Sequence, residues 1–324
     1  MTEPTAPEWE RAILEKVALK ALDEQRRDRQ WKALFRLLWF VFVFLLFAAW
    51  MGWIGRPDKE IDGSVVGVGK HTAIVDVEGV IGPEARASSE RVIKALNRAF
   101  KSPNTQGVVV RINSPGGSPV QAGYINDEIR RLRAKYPAIP VYAVVSDLCA
   151  SGGYYVAVAA DKIYVDKASL VGSIGVIIGG FGFVGAMEKL GIERRAYTAG
   201  TNKDFLDPFA PEKPEDREHA KKMLEEIHQQ FVNVVKQGRG KRLKESPEIF
   251  SGLVWTGEKS IELGLTDALG STEYVAREVV KAEKLVDFTP EDNVFELVSK
   301  RLGTSFGEGF ARAFWQAAAT VQVR

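Results

Sequence analysis

The sequence predicts an α/β protein with a largely parallel sheet, preceded by one N-terminal transmembrane helix. From residue 72 onward, short apolar segments typical of buried strands alternate with segments typical of helices. This alternation favours parallel strands joined by crossover helices. An uncharged apolar run precedes these segments. The 324 residues include one cysteine, Cys149, which rules out an intrachain disulfide framework and a cysteine-cluster metal site.

The apolar run Leu37–Ile54 is long enough to cross a bilayer. At about 1.5 Å per residue it spans about 27 Å, close to the hydrocarbon thickness of a membrane. Tryptophans lie near its ends, where interfacial anchors are common: Trp39, Trp50 and Trp53. A cleaved signal peptide is the alternative, but the run exceeds the usual apolar core of about 7–15 residues and no A-x-A site follows. We therefore predict a transmembrane helix at residues 37–55.

Charged residues on the two sides of this run predict its orientation. Residues 26–36 carry five basic side chains against one acid, whereas residues 56–62 carry two basic and three acidic side chains. The positive-inside rule then places the N-terminus in the cytoplasm and residues 56–324 on the extracytoplasmic side of the inner membrane. We interpret residues 1–36 as a charged helical cytoplasmic segment and residues 56–70 as a linker.

The remaining chain alternates between strand and helix patterns. Strands are predicted at Thr72–Val80, Gly107–Ser114, Ile139–Val145 and Asp161–Asp166. Helices are predicted at Ser88–Phe100, which Ser88 would cap, and at Val120–Tyr136. In a parallel sheet, ligands are expected beyond the carboxyl ends of the strands.

Two short sequences lie at that edge of the predicted sheet. "NSPGGSP", residues 113–119, joins the second strand to its helix, and its glycines leave backbone N–H groups that could bind an oxyanion or a phosphate. The Walker A spacing is absent, and a plain tight turn is the alternative. Ser151 follows the next strand at the start of a helix, where it is either a helix cap worth about 1 kcal/mol or a nucleophile.

A nucleophilic serine needs a base, and the histidines are poor candidates. His71, His219 and His228 are all expected at ordinary surface positions, which argues against a Ser-His-Asp triad. Lysine is the other established partner of a serine nucleophile, provided that desolvation removes its proton. Lys203, in a Gly/Asn loop, is one candidate among many lysines. Cys149 is interpreted as a packed thiol.

Five sequences in a fixed order resemble one family: "RINSPGG", "ASGGYYVAVAADKIYV", "VGSIGV", "GTNKD" and "GLVWTGEKSIELGLTDALG". They are similar to the signal peptide peptidase A family, membrane-bound serine-lysine peptidases of the Clp protease and crotonase fold. The resemblance covers roughly residues 70–280. It implies repeated ββα units, a serine peptidase domain at residues 71–284 and no cofactor or metal.

The resemblance also implies roles for individual residues. Ser151 of "ASGG" matches the nucleophile, and Lys203 of "NKD" matches its general base. Ser173 of "GSIG" matches the hydroxyl that positions the lysine amine. Gly117 and Gly152 match the two backbone amides of the oxyanion hole.

The family further implies a homo-oligomer that hydrolyses apolar extended peptides, such as remnant signal peptides, at the membrane. A nucleic-acid partner is not expected, because 44 Lys and Arg against 42 Asp and Glu give a net charge of only +2. Five apolar residues could line a peptide groove or belong to a core strand: Ile174, Val176, Ile177, Ile178 and Phe181. Residues 285–324 are predicted to form a helical extension that packs between subunits; contact with the membrane face and completion of the core are the alternatives.

Other function classes remain open from the sequence. A non-catalytic membrane scaffold would retain the same motifs without an active lysine. A quality-control protease would use the same site on misfolded membrane proteins. An acyl-CoA enzyme of the same fold is disfavoured by the membrane anchor.

Overall fold

The computed structural model describes residues 20, 26–27, 29–45, 47, 69–244 and 246–290. Residues 29–45 form helix α1, whose apolar side chains, including Phe35 and Phe40, are exposed. Within the described part of the chain, no helix combines the length and apolar character that a membrane crossing requires. The predicted transmembrane segment continues through residues 46 and 48–55, which lie outside the described residues.

Residues 69–290 belong to a separate compact unit built on one sheet. Its strands are β1 His71–Glu78, β2 Thr105–Ser114, β3 Val141–Ala150, β4 Lys162–Val165, β5 Leu170–Gly172, β6 Val254–Thr256, β7 Ala268–Leu269 and β8 Leu285–Asp287. The order is β6-β5-β3-β2-β1-β8, with β4 pairing β3 and β7 pairing β4. All pairs are parallel except β5 with β6. The predicted α/β class and largely parallel sheet are confirmed.

Helices lie between these strands, including those predicted at residues 88–100 and 120–136. They are α2 Ser89–Lys101, α3 Pro119–Lys135, α4 Gly152–Ala157, α5 Val184–Leu190, α6 Pro214–Arg239, α7 Gly257–Glu262 and α8 Thr272–Tyr274, which continues as a π-helical turn, Val275–Val280. Short 3-10 turns lie at Gly240–Arg242 and Pro247–Phe250.

The start of α2 differs from the prediction in one detail. Ser88 occupies the cap position, but its side chain makes no capping hydrogen bond. The N–H of Ser89 instead donates to Oε1 of Gln121 on α3 at 2.8 Å. A contact between helices therefore replaces the local cap, because the polar group that reaches this amide comes from α3.

The sheet is buried on both faces, as expected for parallel strands covered by helices. One core contains alternate residues of β1 to β3, including Val75, Val110 and Ala143, together with apolar side chains of α2, α3 and α4. A smaller cluster on the opposite face contains Val109 and Val144. Because side chains on both faces are buried, the strands are held in place, and so are the strand ends that carry the candidate site.

The sheet continues past residue 284, where the sequence prediction ends the main domain. Residues 285–287 form β8 rather than the start of a helical extension, because Leu285 and Val286 pair in parallel with β1. Phe288 is buried beside this strand. The rest of the predicted extension, residues 291–324, lies outside the described residues.

Candidate active site

Ser151 lies between β3 and α4 in a conformation that residues other than glycine rarely adopt. Its backbone angles are φ 51° and ψ −121°, and a positive φ is strained for a residue with a Cβ. Its N–H donates to the carbonyl of Gly172 at 2.8 Å, and its carbonyl accepts from the N–H of Tyr155 at 3.0 Å. The side chain makes no capping bond to α4. The helix-cap interpretation of Ser151 is therefore wrong.

The turn after β2 packs directly on Ser151. A Cβ added to Gly116, which has φ +96°, would lie 2.6 Å from the Gly152 nitrogen and 2.8 Å from the Ser151 Cβ. No larger residue fits at position 116 without separating the two loops. The glycine pair thus permits the close approach of the β2–α3 turn to the β3–α4 turn.

Gly117 and Gly152 place two backbone amides side by side. A Cβ added to Gly152 would lie 3.3 Å from the Gly117 nitrogen. The turn is fixed by Ile81, whose N–H donates to Gly116 and whose carbonyl accepts from Ser118, both at 2.8 Å. Neither bond uses the Gly117 N–H. The Gly152 N–H is at the first turn of α4, where it has no acceptor within the helix. Such a pair of amides can stabilise an oxyanion.

Ser173 follows the neighbouring strand and has the same positive φ as Ser151. Ala150 and Gly172 pair across β3 and β5, so the two serines leave adjacent strand ends. Ser173 also has φ 51°, and its N–H donates to the carbonyl of Leu253 at 2.7 Å. A second strained serine therefore lies at the same edge of the sheet.

A groove of about 860 Å³ joins these residues. Gly117, Ser151, Gly152 and Ser173 all line it. Its apolar walls come from α3, α4, α6 and the segment after β5: Val120, Tyr124, Tyr155, Val176, Ile177, Ile227 and Phe231. An extended apolar peptide fits the chemistry of such walls.

The five predicted groove residues divide into three groups. Val176 and Ile177 line the groove, whereas Ile174 is completely buried. Ile178 and Phe181 line a second cavity, of about 760 Å³, beside α5 and the start of α6. Val176 and Ile177 therefore fit the groove alternative, and Ile174 fits the core alternative.

Lys203 is not brought into the groove of its own chain. It is exposed in a turn, where its N–H donates to the carbonyl of Gly200 at 3.2 Å, and it does not line the groove. The neighbouring Asp204 pairs with Lys213 at 2.8 Å. The groove therefore contains four of the five predicted site residues and leaves the predicted base outside.

The histidines differ from one another. His71 is completely buried, and its ring is within hydrogen-bonding distance of the Gly69 carbonyl at 3.0 Å and of Thr105 Oγ1 at 3.2 Å, so its predicted surface position is wrong. His219 is exposed as predicted. His228 is partly buried, and its Nε2 lies 3.2 Å from the carbonyl oxygen of Ile174, next to Ser173. No histidine is among the described residues that line the groove, which agrees with the absence of a Ser-His-Asp triad.

Cys149 is a packed thiol, as predicted. It is fully buried beside the groove, and this burial raises the pKa of its thiol. A thiol that stays protonated is a poor nucleophile. Ser151 is therefore the better candidate of the two.

A strained serine at a strand end, with two glycine amides beside it and an apolar groove in front of it, defines an acyl-transfer type of site. Residues 133–286 match the model of Peptidase family S49. A putative protease of Methanocaldococcus jannaschii is 31% identical over 242 residues, which are 72% of this chain and 76% of that protein. The chain belongs to Peptidase family S49.

Two further relatives match this chain over different shares of their own length. A putative signal peptide peptidase SppA of Enterococcus faecium is 32% identical over 200 residues, 62% of this chain and 58% of the relative. The predicted resemblance to that family is confirmed. A Na(+)/H(+) antiporter NhaA of Brucella melitensis is 43% identical over 217 residues, 67% of this chain. The match spans only 29% of the length of that relative.

Proposed function

We propose that this protein is a membrane-anchored serine endopeptidase that hydrolyses apolar extended peptides, such as remnant signal peptides. The observation that carries the proposal is the strained Ser151 at the edge of an apolar groove, with the amides of Gly117 and Gly152 beside it. Membership of Peptidase family S49 supports the same reaction class. The family also supports assigning the sheet to the Clp protease and crotonase type of fold.

The reaction follows from a Ser-Lys dyad. The neutral amine of Lys203 accepts the proton of Ser151 Oγ, which forms a bond to the carbonyl carbon of the peptide. The Gly117 and Gly152 N–H groups stabilise the resulting oxyanion. The Lys203 ammonium then protonates the leaving amine, and water hydrolyses the acyl-enzyme by the reverse sequence of proton transfers. Ser173 positions the amine.

Lys203 can act as this base only if a second copy of the chain brings it close to Ser151. Because the residue is exposed and outside the groove of its own chain, we place it in the groove of a neighbouring copy within a homo-oligomer. The segment that leads to it exposes large apolar side chains: Ile177 is 87% exposed, Phe181 82% and Tyr197 95%. Exposed apolar surface of this kind favours association.

The membrane location rests on the sequence. Leu37–Ile54 is proposed to anchor the chain in the inner membrane, with the N-terminus in the cytoplasm and the peptidase domain on the extracytoplasmic side. This arrangement gives the groove access to apolar segments at the membrane surface. Such segments are the substrates that the groove walls favour.

The dyad is tested with Ser151→Ala and Lys203→Ala in the full-length chain, purified in detergent micelles. Each variant alone is expected to lose at least 10³-fold in kcat/KM on a fluorogenic apolar peptide, since nucleophile and base act as a unit. Lys101→Ala, which removes an exposed lysine from the end of α2, is the matched control and is expected to retain activity.

Mixing the two inactive variants tests the shared site. If Lys203 acts in a neighbouring groove, reassembled mixed oligomers regain part of the activity that neither variant has alone. Full activity in Lys203→Ala would rule out this lysine as the base. A wild-type protein without turnover on any apolar peptide would favour the non-catalytic scaffold.

His228 is expected to tune the same site through the backbone. Its contact with the Ile174 carbonyl holds the segment that follows Ser173, and a typical hydrogen bond contributes roughly 0.5–1.5 kcal/mol. His228→Phe is therefore expected to lower kcat several-fold with little change in KM, whereas exposed His219→Phe retains kcat. Steady-state kinetics measure both. Equal kcat values for the two variants would show that the Ile174 contact does not matter to the reaction.

A further inference from the structure

We propose that Asp127 selects peptides that carry a basic side chain about four residues from the cleaved bond. The proposal rests on the proposed function, because it takes the groove as the peptide site. Of the described residues that line the groove, Asp127 alone carries a charge. One carboxylate on a wall that this chain leaves otherwise uncharged favours one cationic group in the ligand.

The helix α3 sets the distance between this carboxylate and the reacting carbonyl. Val120, Gly123, Tyr124 and Asp127 line the groove from one face of α3, as their spacing of three and four residues requires. The helix begins at Pro119, two residues after Gly117. Eight residues at about 1.5 Å each place Asp127 about 12 Å further along the helix axis.

For an extended peptide that runs along α3, this distance corresponds to a definite number of residues. Its backbone advances about 3.3 Å per residue, so about 12 Å corresponds to roughly four residues from the carbonyl that the glycine amides hold. Asp127 is exposed and open to the long side chain of a lysine or arginine at that position. The apolar stem of such a side chain can lie along Tyr124, while its charged end reaches the carboxylate.

The carboxylate of Asp127 is not used by an ion pair of the described chain. The nearest basic residue along the helix, Arg130, donates from its Nε to Oδ1 of Asn126 at 2.8 Å. Asn126 in turn donates to the carbonyl of Tyr155 at 2.6 Å.

The implied substrate is an apolar segment that ends in a basic residue. The groove walls bind the apolar part, and Asp127 sets the position of the segment relative to Ser151. An apolar peptide without the basic residue would bind in several positions and be cut at several bonds. Asp127 would thus affect both the rate and the choice of the cleaved bond.

The test uses the full-length chain in detergent micelles and a series of leucine- and alanine-rich fluorogenic peptides. Each peptide carries one Lys, or Gln as its neutral counterpart, at positions two to six residues from the cleaved bond on either side. The wild type is expected to favour Lys about two- to fivefold in kcat/KM near the fourth position on one side, the size expected of an exposed ion pair. High salt is expected to reduce this preference.

Variants of Asp127 separate charge recognition from other effects. Asp127→Asn is expected to lose the preference for Lys, and Asp127→Lys is expected to favour a peptide with Glu at the same position. Glu90→Gln removes an exposed acid of α2 outside the groove and is expected to keep the preference for Lys. Mass spectrometry of the products shows whether the cleaved bond also moves.

Each outcome decides between the inference and the proposed function. Turnover that is equal for Lys and Gln at every position overturns the role of Asp127 and leaves the peptidase intact. If the wild type cleaves no peptide, the proposed function fails, and binding of the labelled peptides to Ser151→Ala, measured by fluorescence anisotropy, tests Asp127 separately. Equal affinities for the Lys and Gln peptides would then overturn the inference.

Discussion

Gly117→Ala is expected to reduce kcat/KM by roughly 10²–10³, the usual effect of losing one oxyanion donor. Gly117 has φ +145°, and a Cβ at this position would overlap the carbonyl oxygen of Ile81. The same carbonyl accepts the Ser118 N–H that closes the turn. The turn must therefore shift, and the Gly117 N–H would no longer lie beside the Gly152 N–H.

Gly82, the residue after Ile81, provides the matched control for this substitution. Gly82 has no positive φ, and a Cβ there would meet only Ala85 Cβ at 3.8 Å, so Gly82→Ala is expected to keep its activity. Circular dichroism establishes that both variants are folded, and peptide hydrolysis gives kcat/KM. A folded Gly117→Ala protein with the activity of Gly82→Ala would show that the Gly117 amide is not an oxyanion donor.

The sequence predicts where the backbone of this site lies, because the ends of the strands that carry it follow from local sequence pattern. The apolar strands β2 and β3 end at fixed points, and in a parallel sheet those ends meet at one edge. Ser151 and the glycine pair therefore come together without any knowledge of distant contacts. Motif resemblance then supplies Ser173, which periodicity alone does not identify.

Other features depend on contacts that no local pattern contains. The ring of the buried His71 lies within hydrogen-bonding distance of the Gly69 carbonyl and Thr105 Oγ1. Ser88 makes no capping bond, and Gln121 of another helix accepts the N–H of Ser89 instead. Lys203 lies in an exposed turn outside the groove of its own chain. The sequence predicts the environment of a residue well where a single strand or helix determines it, and poorly where it depends on contacts between separate elements.

A buried ion pair is the clearest of these long-range features. The Arg239 side chain, 1% exposed, forms a bidentate pair with Asp267 at 2.8 and 2.9 Å, and its Nε donates to the Gly264 carbonyl at 2.8 Å. Arg239 is the last residue of α6, which carries the groove residues Ile227 and Phe231. Asp267 also accepts the N–H of Ile163 on β4 at 2.7 Å. The pair therefore anchors the groove helix to the sheet.

Arg239→Ala is expected to lower the free energy of unfolding by about 3–5 kcal/mol, because it leaves a largely buried carboxylate without its main partner. Arg242 contacts the same carboxylate at 3.1 Å, but its side chain is 40% exposed. Arg242→Ala is therefore expected to cost about 1 kcal/mol or less. Urea unfolding of the full-length protein followed by circular dichroism measures both. Equal losses for the two variants would contradict the anchoring role of Arg239.

The pH dependence of stability gives an independent check on the same pair. Burial raises the pKa of the Asp267 carboxyl, but the hydrogen bond and charge of Arg239, with help from Ile163 and Arg242, outweigh it and hold the pKa below its ordinary value. A carboxyl whose pKa is lower in the folded state stabilises the fold above its unfolded pKa of about 3.9. This contribution is lost as the pH falls through the folded pKa. The wild type should therefore lose stability on acidification below about pH 4 more steeply than a folded Asp267→Asn variant, and parallel pH curves would show that Asp267 is not stabilised as a carboxylate.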